Sequence, residues 1–185
     1  MMEVTLPEKL ANLNNTAPSK ETATTAAGSV YTFYGCTSLK TINNLDDNIT
    51  IIGGYAFYNC SSLEEIVLPS ELRIIGSYCF SGCTSLTNID FDHIVNGAID
   101  PEGQPDENGN PARIAGTGRK LENIMTYAFG ASSATVGTPA IEKIVIPSTV
   151  KALGAGAFRY NESVKEVEFE YNTALTVFGG SIIQI

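Results

Sequence analysis

No apolar run in this chain of 185 residues approaches the roughly eighteen that a membrane span needs. The opening MMEVTLPEKLANLNN does not place a basic start before an apolar stretch, so it does not read as a signal peptide. Basic residues are scarce: 11 Lys and Arg stand against 20 Asp and Glu, a net charge of −9. That balance excludes a nucleic-acid backbone as the expected partner and favours solubility. Four cysteines are too few to mark a disulfide scaffold, so they fix no compartment. The sequence also lacks Gly-x-Ser-x-Gly, a phosphate-binding P-loop and His-Glu-x-x-His. What it has is apolar residues, 43% of the total, enough for a packed interior.

Those apolar residues recur. YAFYNCSSLEEI (Tyr55 to Ile66) is nearly repeated as YCFSGCTSLTNI (Tyr78 to Ile89). Phe33, Phe57, Phe80, Phe129 and Phe158 anchor five cycles. Three residues after each comes Cys36, Cys60, Cys83, Ser132 or Asn161. Further columns are Leu39, Leu63, Leu86, Ile141 and Val164, then Ile42, Ile66, Ile89, Ile144 and Val167. The segments EIVLP and KIVIP alternate and are β-branched, so they read as short strands ended by a proline that cannot donate to the ladder. Period-two geometry sends Ile66 and Leu68 to one face and Glu65 and Val67 to the other. One cycle cannot bury its own apolar face. Stacked cycles, about 4.8 Å apart, join the columns into one core. Gly53, Gly76 and Gly154 share a column with Asn14, types that tolerate a left-handed backbone. Met125 stands in the same column, so close packing explains those glycines better than positive φ.

The pattern in LEEIVLPSELRIIGSYCFSGCTSL (Leu63–Leu86) and IEKIVIPSTVKALGAGAFRYNESV (Ile141–Val164) resembles the BspA-like leucine-rich repeat family. The resemblance covers most of the chain. It implies extracellular or surface-displayed binding and adhesion, with a protein or glycoprotein partner. The motif residues are structural, so it transfers no binding residue. Insertions interrupt the period near 14–29, 95–118 and 131–140. Asn108-Gly109 in the second is a hairpin signal, with Ile99 and Ile114 flanking it. Loops on a rigid solenoid are where contacts diversify.

Each candidate for chemistry has a plainer reading beside it. The Cys36, Cys60, Cys83 column reads as a small inward group that satisfies the turn backbone, and Cys79 as a packing residue in an alanine column. Zinc at Cys60, Cys79 and Cys83 lacks a fourth ligand, and a disulfide between adjacent coils depends on geometry. His93 reads as a surface histidine without a triad. Asp106, Asn108 and Asn110 alternate as in a calcium loop, but Pro111 stands where the loop needs glycine. No metal or cofactor is expected.

Two surfaces remain. The outward strand positions, including Glu65, Val67, Asp90, Lys143, Val145, Glu166 and Glu168, form an acidic, polar face. Glu65 and Asp90 on adjacent coils are a formal carboxylate pair without an implied pocket. Tyr31, Tyr55, Tyr78 and Tyr127 stack two residues before the Phe column, and Tyr34 and Tyr58 follow it. They read either as a self-packed ladder shielding the core or as an aromatic contact stripe. At the ends, Ile182, Ile183 and Ile185 are expected to fold back as a cap, pack on another copy or lead into further sequence. An end-to-end self-contact follows from the second option.

The sequence thus predicts one α/β-type repeat solenoid over residues 1–185, right-handed, with about five to six coils. Short parallel strands lie on one face and turns or short helical segments on the other. The expected role is a non-catalytic binding module in surface adhesion or host and matrix contact. A structural part of a larger assembly is the alternative, and an enzyme is not expected.

Overall fold

The computed structural model describes residues 2–5, 31–43, 45, 49–69, 71–90, 104, 121–169 and 175–183, with backbone alone at 2–5, 43, 88 and 90. The insertions at 14–29 and 95–118, apart from Gln104, lie outside these residues, as do His93, Asp106, Asn108, Asn110, Pro111 and Ile185.

Each cycle contributes two short strands and one tight turn. The first strands are β1 (Met2–Thr5), β2 (Leu39–Asn43), β4 (Glu65–Val67), β6 (Asn88–Asp90), β8 (Lys143–Ile146) and β10 (Glu166–Phe169). They pair in parallel as β1-β2, β4-β6 and β8-β10. The second strands are β3 (Ile51–Ile52), β5 (Ile74–Ile75), β7 (Asn123–Ile124), β9 (Ala152–Leu153) and β11 (Val177–Phe178). These form one continuous parallel ladder in the order β3-β5-β7-β9-β11. The side opposite the first strands therefore holds a second ladder and turns, with no helix among the described residues. The sequence has a column for its inward member (Ile52, Ile75, Ile124 and Leu153), but a two-residue strand such as Ile74–Ile75 is too short to show an alternating pattern, so it does not read as a strand.

The turns satisfy their own backbone by alternation. In the second coil the N–H groups of Ala56, Tyr58 and Cys60 bond three residues back, to Gly53, Tyr55 and Phe57. The intervening N–H groups of Tyr55, Phe57 and Asn59 cross to the next coil, to Ser77, Cys79 and Ser81. Left-handed residues bracket the turn at Tyr55 (φ 59°) and Asn59 (φ 58°). Such reversals let a few residues turn the chain between ladders without a helix.

One spine runs through the stack. The rings of Phe33, Phe57, Phe80, Phe129 and Phe158 lie nearly parallel, with successive centroids at 5.3, 5.3, 5.1 and 5.4 Å. All but the half-buried Phe33, which packs against it, belong to a core that also takes in Leu39, Leu63, Leu86 and Ile141 and the inward isoleucines of both sets of strands. Burying each such side chain contributes about 1.5–3 kcal/mol before chain entropy. Ion pairs between neighbouring coils add surface stitching: Lys40–Glu64 at 2.7 Å, Lys165–Glu142 at 2.6 Å, and Glu122 held by Arg73 and Lys151, each at 3.3 Å.

The glycine column is closed by backbone, as its sequence pattern suggests. A Cβ at Gly76 would fall on the amide of Gly54, and one at Gly154 on the amide of Thr126. Neither glycine is left-handed. The left-handed positions lie two residues on, at Tyr55, Tyr78, Tyr127, Gly156 and Ser181.

The insertion at 131–140 enters the stack itself. Gly35 and Asn59 donate to Tyr58 and Ser81 of their next coils, but the equivalent Gly82 donates to Gly137, at 2.8 Å. Thr138 reaches the Tyr160 carbonyl on the far side, at 2.9 Å. The loop thus lies between the third and fourth turns, where β6 and β8 form no ladder among the described residues.

At the last described coil, Ile182 and Ile183 do not fold back, and Ile182 packs against the core. They continue the repeat in the places of Ala157 and Phe158, and Ile182 accepts from the Phe158 amide at 2.9 Å.

Candidate functional site

The cysteines are structural. Cys60 donates its thiol to the Phe33 carbonyl and Cys83 to the Phe57 carbonyl, each at 3.0 Å. Each thiol closes the turn of the coil before it. All four cysteines are free. Ser132 departs from its column: the insertion carries it to the surface, where its hydroxyl meets Tyr78. Asn161 stays buried, and neither side-chain atom has a partner among the described residues. No group of three His, Cys, Asp or Glu side chains among the described residues could hold a metal ion.

Burial pushes the Cys60 thiol up to about 12, with nearby Cys36 adding to it, and raises Cys79 and Cys83 well above the ordinary range. The folded state therefore keeps protons that the unfolded chain gives up near 9.0. Stability is unaffected below that pH and falls as pH rises from about 9 towards 12. Thermal melts from pH 8 to 11 are expected to show a falling Tm, with a shallower fall in Cys60→Ala. Equal slopes for the two proteins would contradict the assignment.

The strand face is divided. Lys143 bridges Glu166 at 3.0 Å and Glu168 at 2.9 Å, and these carboxylates hold its ammonium above the usual lysine range. On β4, Glu65 and Val67 are exposed. The register sets Glu65 against Asn88 and Val67 against Asp90, so Glu65 and Asp90 stand on a diagonal, not opposite one another. A reacting carboxylate pair is not formed by that alignment. Among the described residues these charged positions meet as neighbouring pairs on open strands.

The tyrosines do converge. Tyr31, Tyr55, Tyr78 and Tyr127 form a continuous row with centroids 5.4, 4.9 and 5.0 Å apart. A second row, Tyr34 over Tyr58 at 5.1 Å, joins the first edge-on through Tyr31 and at a tilt through Tyr55. The platform is both a ladder and a surface: its inner rings are half-buried, while Tyr31 and Tyr34 are 57% and 48% exposed. Burial and the neighbouring phenols raise the Tyr55 and Tyr78 hydroxyls above the ordinary tyrosine range.

The backbone under this row is strained. Tyr55, Tyr78 and Tyr127 sit at φ 59°, 57° and 53°, a conformation that costs a side-chain-bearing residue about 1–2 kcal/mol. The fifth coil has Gly156 in this column, and the Tyr127 ring occupies the space its Cβ would take.

Beyond Tyr127 the platform ends in Arg159 and Tyr160. Arg159 reaches the Tyr127 hydroxyl at 3.4 Å and the Tyr160 hydroxyl at 3.0 Å, with its guanidinium 4.6 Å from the Tyr160 ring centroid. The sequence columns pass over both residues. The signal that finds them is an absence: residues 31–38, 53–62, 76–85 and 125–141 contain no Asp, Glu, Lys, Arg or His. In a chain with 31 Lys, Arg, Asp and Glu residues, four consecutive turns are charge-free, and Arg159 is the first charge on that face.

The family model of the BspA type leucine rich repeat region matches in six copies, over residues 22–98 and 122–182. The chain belongs to this family. Among solved structures, a leucine-rich repeat protein from Bacteroides ovatus is similar at 22% identity and TM-score 0.56. That match covers 96% of this chain but 39% of the Bacteroides chain. The T. pallidum leucine rich repeat protein TpLRR is similar at 27% identity and TM-score 0.56, over 96% of this chain and 68% of its own. Comparison with curated proteins finds no match. BspA-type repeats are interaction modules, and among the described residues no helix is long and apolar enough to cross a membrane.

Proposed function

We propose that this BspA-type repeat is a non-catalytic protein-binding module, acting at the cell surface in adhesion or in contact with host or matrix proteins. It engages its partner through the turn face. The observation that carries this reading is the charge-free platform of stacked tyrosines, flanked by Ser, Thr, Gly and Asn. Interface centres are depleted in charge and enriched in tyrosine. Antibody paratopes use the same set, with tyrosine for rigid amphipathic area and small polar residues for adaptable hydrogen bonds. Stacking fixes the ring rotamers before binding, so little side-chain entropy is lost on contact.

The test is capture of surface and matrix proteins by wild type and by Tyr55→Ala/Tyr78→Ala, followed by affinity measurement on the captured partner. The double variant is expected to bind at least about 100-fold more weakly, as two central aromatic anchors would. Lys143→Ala/Glu168→Ala, on the strand face, is expected to bind within about threefold of wild type. The reverse ranking would move the site to the strands.

The assembly reading has one observation in its favour. Phe169, Phe178 and Ile183, all at the last described coil, are exposed where their columns are otherwise largely buried. Light scattering across a hundredfold concentration range tests it, and a constant monomer mass removes self-association.

A further inference from the structure

Six of the described residues are Lys or Arg, and five of them meet a carboxylate on a neighbouring coil: Lys40, Arg73, Lys143, Lys151 and Lys165. Arg159 meets none among the described residues. Two phenol hydroxyls and the face of Tyr160 hold it instead, and its buried Nε–H has no acceptor among the described residues. A guanidinium fixed on three sides by neutral groups, with terminal N–H donors left over, is preorganised for an anion that none of the described residues supplies.

We propose that Arg159, with Tyr127 and Tyr160, is the anchor for a carboxylate of the partner protein, an Asp or Glu side chain on a segment that lies extended along the tyrosine row. This rests on the turn-face reading above and adds the partner's chemistry and its register. A carboxylate suits the site better than a phosphate, because one cation balances one negative charge. A dianion would face the net −9 of the chain with its second charge unmatched. The planar fork of Arg also matches a carboxylate in two parallel hydrogen bonds.

The geometry sets a length. Unbroken ring contacts run from Tyr127, bonded to Arg159, through Tyr78 and Tyr55 to Tyr31. Four coil spacings of about 4.8 Å give ~19 Å, which an extended chain covers in about six residues. The exposed Tyr31 and Tyr34 rings at the far end suit an apolar or aromatic side chain. The preferred segment therefore carries an acid about six residues from an apolar anchor, with uncharged residues between.

A random dodecamer peptide library selected on the whole chain tests this. The enriched peptides are expected to share that spacing. For the lead peptide, Arg159→Gln in the protein and Glu→Gln (or Asp→Asn) in the peptide should each weaken binding about 10- to 100-fold. Both changes together should cost little more than either alone, the mark of a direct pair. Arg159→Lys should fall between wild type and Arg159→Gln. Melting temperatures of the variants separate misfolding from lost contact, and a Tyr160→Phe variant probes the site with the guanidinium intact. Selected peptides that lack an acid but lose binding in Tyr55→Ala/Tyr78→Ala would overturn the carboxylate anchor and leave the turn face standing. Peptides indifferent to both the tyrosines and Arg159, or no enriched peptide at all, would overturn the anchor, and indifference to the tyrosines would remove the turn-face reading too. Arg159-dependent binding to uronate-bearing glycans without any such peptide would replace the protein partner with a carbohydrate.

Discussion

Replacing Phe80 with alanine is expected to lower the unfolding free energy by about 5 kcal/mol, the upper end for a buried phenylalanine. Its ring is fully buried between Phe57 at 5.3 Å and Phe129 at 5.1 Å. Truncation removes both ring contacts and leaves a cavity that neighbours on rigid coils cannot close. Each lost aromatic pair adds about 0.5–1.5 kcal/mol to the area term. Because a solenoid's stability is a sum over neighbouring repeats, a gap in the middle also weakens coupling between its two halves. Urea unfolding should therefore show a reduced midpoint and a broadened or split transition. Phe33→Ala, in a half-buried ring at the first described turn, should cost less. A loss under about 1.5 kcal/mol at Phe80 would mean that the ring stack is not the spine.

The second large effect is expected at a residue with no side chain. In Gly76→Ala the new Cβ would land on the Gly54 amide and the Gly53 carbonyl carbon, neither of which can rotate away. The coils would have to part, stretching the bond from the Gly76 amide to the Ile52 carbonyl, now 2.8 Å. A cost of about 3 kcal/mol follows, at the top of the usual range for overpacking. In a chain of this size that lowers Tm by about 6–12 °C. Gly180→Ala is the control: nothing lies within 4 Å of its would-be Cβ, so the change should be close to neutral. Equal melting shifts for the two glycines would show that helix or turn propensity, not inter-coil contact, governs the column.

Both predictions start from columns visible in the sequence, and the reason is geometric. A repeat whose members stack in register presents the same environment at the same offset, so Phe57, Phe80, Phe129 and Phe158 or Gly76 and Gly154 can be aligned before any contact is known. Burial by stacking leaves a periodic trace. The short second strands left a weaker one, because Ile74–Ile75 and Asn123–Ile124 share only their inward member. The candidate site was half legible. Tyrosine columns were plain, but whether the rings shield the core or face solvent depends on how far each coil leans on the next. Arg159 was not legible, since it is the one charged member of a mixed column that also holds Tyr34, Tyr58, Ser81 and Gly130.

Local chemistry alone settled the coil: β-branched alternation, proline stops and a recurrent phenylalanine require stacking, since no single cycle can bury its apolar side. Which residues take the left-handed bends, where the 131–140 loop enters the stack, and which cation goes without a carboxylate among the described residues were decided only in three dimensions. Those outcomes depend on partners some 22 to 55 residues away in the chain, and a pattern read along the chain has no access to such distances.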